Sequence, residues 1–418
     1  MYPVALIEKA AVGDVEGEEG RVITRGLATV FISIFLVGVG FSIIMPVLPY
    51  YATSFGATAF QLGALLTIFA VCQFIFAPFW GSYSDRIGRK PVLLLGLAGI
   101  SITQFMLAGA NCLLMLYIAR IIGGALSCAT IPTALAYVAD TTSLEKRAST
   151  MGLVGASIGI GMVFGPAIGG LMYKISIWAP FLFAGFLALC NLLAVLLLVP
   201  ESLAEDKRKK ETRVVRGSMV AGLKTPIAIF FVVMLLCSIA ESAHNGTLAL
   251  FGEAKLGLGP RDIGWAFSAG GLMMFITQGV IAGKLINRLG EERTAGIGMS
   301  ILTIGFLLIL QVTSLAGVMG CMALFTGGIG LIRPSINVAV SRRTAMQQGK
   351  TMGILAGYDS LGRSIGPLLG GFLLDRGVNY AYYSASLFSS AALICMLVYI
   401  IRTANANKRL NQATTEES

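Results

Sequence analysis

The sequence predicts an all-α membrane protein of about twelve transmembrane helices, arranged as two pseudo-symmetric six-helix bundles with both termini cytoplasmic. Apolar runs close to the ~20 residues that span a hydrocarbon core recur along the chain. Lys and Arg gather on one side of those runs, and the second half repeats motifs of the first.

The 418 residues are 56% hydrophobic and only 12% charged, with a mean hydropathy of +0.81. A soluble domain carries about a quarter charged residues, so lipid is the solvent for most of this chain. The net charge of +10 therefore concerns orientation in a membrane; no stretch interleaves basic and aromatic residues as a nucleic-acid surface does. The seven cysteines fall in or beside apolar runs without CxxC or metal spacing, and read as packing residues. Glu8, Asp14, Glu16, Glu18 and Glu19 precede the first apolar run, where a cleavable signal has basic residues, so residues 1–25 read as a cytoplasmic tail.

In chain order the spans fall at 27–51, 60–80, 91–110, 113–138, 149–172 and 178–199, forming an N-terminal bundle over 26–199. The polar stretch 200–225 is a central cytoplasmic loop. Spans at 226–250, 263–283, 294–313, 316–340, 352–373 and 380–401 form a C-terminal bundle over 226–402, and 403–418 is a cytoplasmic tail. With this count, 24 of the 31 Lys and Arg share the side of the termini and the even-to-odd connections. Lys174, Lys255, Arg261 and Arg376 lie opposite, and Arg120, Arg333 and Arg363 lie within spans. One missed or false span would scramble that asymmetry.

The repeat is direct. TMGLVGASIGIGMVFGPAIGGLMY at 150–173 matches TMGILAGYDSLGRSIGPLLGGFLLD at 351–375, and GSYSDRIG at 81–88 is echoed by GKLINRLG at 283–290. Two such halves place a cargo site at their interface near the bilayer midplane.

The connection GSYSDRIGRKP at 81–91 concentrates charge in a chain that has little. Arg86, Arg89 and Lys90 serve as topology determinants, but Asp85 opposes that role and Gly81 and Gly88 do not bear on it. Gly81 is expected to allow close helix approach and Gly88 a turn at positive φ. Asp85 can pair with an Arg or face a helix N-terminus, as a latch between bundles would. In the echo Asn287 replaces the acid, so a looser latch is expected there.

G-x-x-x-D-R-x-G-R-K between the second and third spans resembles the signature loop of the major facilitator superfamily, and nearly the whole chain fits that family's plan. The fifth span meets G-x-x-x-G-P-x-x-G-G with Gly161, Gly165, Pro166, Gly169 and Gly170, similar to the antiporter motif of drug:proton exporters. GFSIIMPVLP at 40–49 and LYIARIIGG at 116–124 are similar to those exporters' first and fourth helices, with Arg120 at their buried arginine. Together these resemble bacterial tetracycline and quinolone efflux proteins. The resemblance implies the major facilitator fold, a bacterial cytoplasmic membrane, a gating role for Asp85 and its basic neighbours, and a coupling or gating role for Arg120.

Intramembrane ions are costly and mark pathways or partners. Glu241, His244 and Asn245 lie at i, i+3 and i+4, on one face of the seventh span. Glu241 could carry a proton or meet a cationic cargo there, and His244 is the sole histidine. Asp359 and Arg363, at i and i+4 in the eleventh span, read as an intrahelical pair. Arg333-Pro334 resembles the quinolone-exporter IRP pattern, with Gly330 where some relatives carry an acid; the first span also lacks the acid of the tetracycline exporters. Glu241, Asp359 and Arg120 are the candidates for proton coupling. Met45, Arg120, Glu241, His244, Asn245, Arg333, Asn337, Tyr358, Asp359 and Arg363 are the candidate cavity residues.

No HExxH, GxSxG or P-loop occurs, which argues against an enzyme or an ATP-driven pump. The expected function is proton-coupled export of drugs or amphipathic small molecules by a monomer, with cargo, protons and membrane lipid as partners. No cofactor, metal or nucleic acid is expected. The alternative is a dedicated exporter of one metabolite, such as a siderophore.

Overall fold

The computed structural model describes residues 18–143, 146–203, 208, 222–223, 225, 227–344 and 348–416. The expected tail over 1–17 and most of the central loop lie outside these residues. Among them are twelve long helical spans: α1 Glu18–Ile43, α2 Ala59–Ile87, α3 Arg89–Ala108, α4 Leu113–Thr141, α5 Arg147–Met172, α6 Ala179–Leu198, α7 Ala228–Leu256, α8 Pro260–Leu289, α9 Glu291–Gln311, α10 Leu315–Arg343, α11 Gln348–Leu374 and α12 Tyr380–Glu416. Eleven contain a stretch long and apolar enough to cross a membrane. The other is α11, where Asp359, Arg363 and a run of glycines dilute the apolar residues.

Ends and breaks follow local chemistry. α1 begins at Glu18, inside the expected tail, and α12 continues to Glu416, past its apolar run and through most of the expected C-terminal tail. α1 stops at Ile43 before Pro46, and the chain resumes as a short helix, Leu48–Ser54. Gly88 separates α2 from α3 at φ 110°, a conformation closed to most other residues. Beyond it, the Glu201 carboxylate accepts from the Arg89 and Lys90 backbone N–H groups at 2.8 and 3.1 Å, satisfying the first donors of α3. α8 carries one π-helical turn, Thr277–Ile281.

Glycines set how the helices meet. On α5, a Cβ at Gly161, Gly165 or Gly169 would strike the α1 backbone at Phe35, Val39 or Ile43. On α11, Gly362, Gly366 and Gly370 stand in the same relation to Leu235, Ile239 and Ala243 of α7. Ser42 on α1 donates to the Gly161 carbonyl and Ser242 on α7 to the Gly362 carbonyl, each at 3.1 Å, so the two seams repeat even in their side-chain bonds. The apolar cores are separate over most of their extent. The largest belongs to the second half, and the first half enters it through buried Tyr50, with Met45 packed against it.

The halves join at two further seams. α2 meets α11 where Gly63 faces the Pro367 carbonyl and Gly371 faces that of Ala59. α5 meets α8 where Gly170 faces Arg261, and Gly264 and Gly271 face the Pro166 and Met162 carbonyls. Asp375, just beyond α11, accepts from the Ala59 and Phe60 N–H groups of α2 at 2.9 and 2.8 Å. Tyr50 donates to the Leu258 carbonyl at 2.7 Å. All of these tight contacts lie at or toward the end poor in Lys and Arg. Toward the other end, a Cβ at Gly81, Gly152, Gly155, Gly279, Gly283 or Gly353 would meet nothing within 4 Å among the described residues. The halves thus form a V, sealed at the charge-poor end and open at the charge-rich end. Gly81 was expected to mark a close helix approach; in this structure a Cβ there would meet nothing within 4 Å among the described residues.

The seal makes a testable demand. In a background without the native cysteines, cysteines replacing Phe60 and Phe372, whose rings lie 6.3 Å apart, should cross-link efficiently. Adding Gly371→Val should cut that yield severalfold, because the new methyls must displace the Ala59 carbonyl. An unchanged yield would mean that the α2–α11 seam does not set the seal.

Candidate transport site

The intramembrane charges of the second half converge on Arg333. From α10 its guanidinium donates to Glu241 of α7 at 2.7 Å and to Asp359 of α11 at 3.0 Å. Asp359 also accepts from Arg363 at 2.9 Å and from the Ser238 hydroxyl of α7 at 2.5 Å. The expected Asp359–Arg363 pair is present, but as one link of a four-charge chain rather than as an isolated intrahelical pair. Two acids balance two bases, and three helices supply them, so spacing along any one helix could not reveal the whole. Arg363 is half exposed, whereas the Asp359 side chain is 11% exposed, so the network is most open at its Arg363 end.

The other candidates spread out from this center. His244 is buried, its ring 4.3 Å from Phe325, with Nδ1 3.2 Å from the Tyr382 hydroxyl and Nε2 2.9 Å from Met322 Sδ. It therefore sits in the aromatic core of the second half instead of on the central cavity. The i, i+3 spacing that joins it to Glu241 spreads over a wide arc of the helix, and core packing claims its outer part. With Glu241, Asn245, Met274, Phe325 and Ile329, it still borders a small side cavity, of a size for one or a few waters. Tyr358 is likewise buried, stacked on Phe231 at 5.6 Å, and so belongs to the α7–α11 packing. Asn337 is exposed one turn beyond Arg333, and Met45 is half-buried at the break after α1. Arg120 stands apart in the first half, with its guanidinium 4.1 Å above the Phe69 ring.

At the charge-rich end the loop residues form their own cluster. Arg89 pairs with Asp85 at 2.6 Å and with Asp140, near the end of α4, at 2.9 Å. Arg86 is exposed and Lys90 half-buried. The echo in the second half is not the weaker version that Asn287 suggested. After Gly290, at φ 83°, Glu291 opens α9 and pairs with Arg342 at 3.2 Å and Arg343 at 2.7 Å at the end of α10; Glu292 also binds Arg343, at 2.8 Å. Arg89 and Asp140 sit 202 positions before Glu291 and Arg342, so the repeat keeps the ion pair and reverses its sign. The matched octapeptides do not reveal this, because Arg89 and Glu291 fall just beyond them and Asp140 and Arg342 lie far along the chain, near the ends of α4 and α10.

Bridging by Arg333 predicts a rank order. Arg333→Gln strips Glu241 of its ion-pair partner and should cost most, on the order of the 3–5 kcal/mol lost when one member of a buried pair is removed. Arg363→Gln should cost less, because Arg363 is half exposed. Asp359→Asn combined with Arg363→Gln should be milder than Arg333→Gln, since it leaves Glu241 and Arg333 as a neutral pair. Thermal unfolding of detergent-purified protein measures this; Arg363→Gln being worse than Arg333→Gln would contradict the bridge.

The family model of the Major Facilitator Superfamily matches residues 30–254 and 230–417. Multidrug resistance protein 2 of Bacillus subtilis is 31% identical over 389 residues, covering 89% of this chain and 95% of that protein. The class D tetracycline resistance protein of Salmonella ordonez is 33% identical, covering 86% and 93%. Among solved structures, a mutant of the nucleoside transporter NupG aligns with a TM-score of 0.76 at 12% identity, covering 90% of this chain and 99% of that one. With its family model matched across both halves and its helices in the arrangement of a solved transporter, the chain belongs to the Major Facilitator Superfamily: it is a multi-pass membrane protein and a secondary transporter of small molecules, not an enzyme.

Proposed function

We propose that this protein is a proton-coupled exporter of drugs or amphipathic small molecules, working as a monomer by alternating access, without a cofactor, and with both termini in the cytoplasm. The names of its relatives, which concern multidrug and tetracycline resistance, suggest the cargo class. The observation that carries the coupling is Arg333 held between Glu241 and Asp359. Among the described residues Asp359 has three donors and Glu241 has one. A proton arriving at Glu241 therefore displaces Arg333 at the loss of a single bond, while Asp359 keeps the arginine near. The freed guanidinium and the altered charge balance loosen the joint between α7, α10 and α11. Protonation at one face of the membrane and release at the other then bias the V toward its two states. In this reading Asp85 and its basic neighbours latch the cytoplasmic end in the state opposite to the one described.

Reconstitution in liposomes with an imposed pH gradient tests this. Of two amphipathic probes, the cation ethidium and the anion 2-naphthylacetate, at least one should move uphill when the gradient is present and stop when a protonophore collapses it. Glu241→Gln should lower the uphill rate by about tenfold or more, the usual scale for losing a proton-transfer group, while downhill exchange persists. Uphill transport with unaltered pH dependence in that variant would remove Glu241 from the coupling step.

A further inference from the structure

Arg120 has no counter-charge. The sequence contains no Asp or Glu between Glu19 and Asp85, or between Asp85 and Asp140, so the membrane interior of α1 to α4 holds no carboxylate. Asp140 lies twenty residues along α4, about 30 Å away at helical rise. Arg120 is nevertheless 7% exposed, and its Nε is buried without a hydrogen-bond partner among the described residues. Gln104 Oε1, on the adjoining α3, is also buried without a partner. The acids of the second half do not relieve this, since Glu241 and Asp359 are already bound to Arg333 and Arg363.

An arginine does not shed its proton, and an unpaired cation in hydrocarbon is strongly unfavourable. What stabilises Arg120 here is the face of Phe69, and Phe69 in turn lies 5.9 Å from the ring of Phe41, which is 40% exposed. A guanidinium with an unused donor edge, beside two aromatic rings of which one is exposed, is complementary to an aromatic acid. The carboxylate takes the N–H groups and the ring lies along the phenylalanines. We propose that Arg120, with Phe69 and Phe41, is the recognition site for the acidic group of the cargo, and that the cargo is an amphipathic carboxylate. This rests on the reading of the chain as an exporter and narrows what it carries.

The test uses the full chain in nanodiscs and three probes that share one ring: 2-naphthylacetate, its methyl ester, and 2-naphthylethylammonium. Equilibrium binding should favour the carboxylate over the ester by about tenfold, the scale of one charge-assisted hydrogen bond. Arg120→Gln should erase that ratio by weakening carboxylate binding about tenfold, whereas Arg120→Lys should keep part of it. A wild-type ratio near one, or tighter binding of the ammonium, overturns the proposal without any variant, so a poorly folding Arg120→Gln does not shield it. Chloride that binds at Arg120 while the carboxylate shows no advantage over the ester overturns it too. In liposomes, flux of 2-naphthylacetate that exceeds that of ethidium supports the assignment, and loss of gradient-driven flux for every probe, ethidium included, would count against the exporter reading. Intact flux without a carboxylate preference would count against the Arg120 assignment alone.

Discussion

Close backbone contact along glycine seams is the constraint on which the rest of this structure depends. In lipid, helices gain nothing from burying apolar surface against one another, so association relies on packing at short range. Gly161, Gly165 and Gly169 seat α5 on α1, and Gly362, Gly366 and Gly370 seat α11 on α7. Each pair presents a second glycine face to the opposite half, through Gly170 to α8 and Gly371 to α2. The same two helices therefore build their own bundle and hold the joint between bundles. The contacts they make between the halves lie at the charge-poor end and toward the middle.

Electrostatics divides between the halves unequally. The second half keeps its intramembrane charges in a closed account, Glu241 and Asp359 against Arg333 and Arg363, spread over α7, α10 and α11. Any relative movement of those helices lengthens an ion pair in a region of low dielectric, so the network resists such movement. The first half has one interior cation and no acid. Such an arrangement gives one bundle a charge-balanced network and leaves the other with an interior cation that has no acid beside it.

The charge-rich ends of the two halves follow one pattern with the signs reversed. Both halves place a glycine at positive φ between two spans and an ion pair immediately after it, yet Arg89 with Asp140 becomes Glu291 with Arg342 in the repeat. The constraint retained through the repeat is a salt link between the start of one helix and the end of the next. The sign is free, since either order neutralises the pair.

The number of spans, the repeat and the family resemblance were legible in the sequence, because lipid imposes length, charge asymmetry and small-residue spacing on the chain locally. The glycines of the fifth and eleventh spans and the turn at Gly88 could be read for the same reason: each answers to its immediate neighbours in sequence or to a helix face of fixed period. What only the tertiary structure decided is partnership. Arg333, Glu241 and Asp359 are separated by dozens of residues, and nothing in their local patterns says that one guanidinium holds both acids. His244 and Tyr358 carried the right chemistry at a plausible register, but aromatic neighbours from α9, α10 and α12 for the one, and Phe231 of α7 for the other, took them into the core. Helix period fixes the direction of a side chain; the identity of what lies in that direction is set by how separate helices dock.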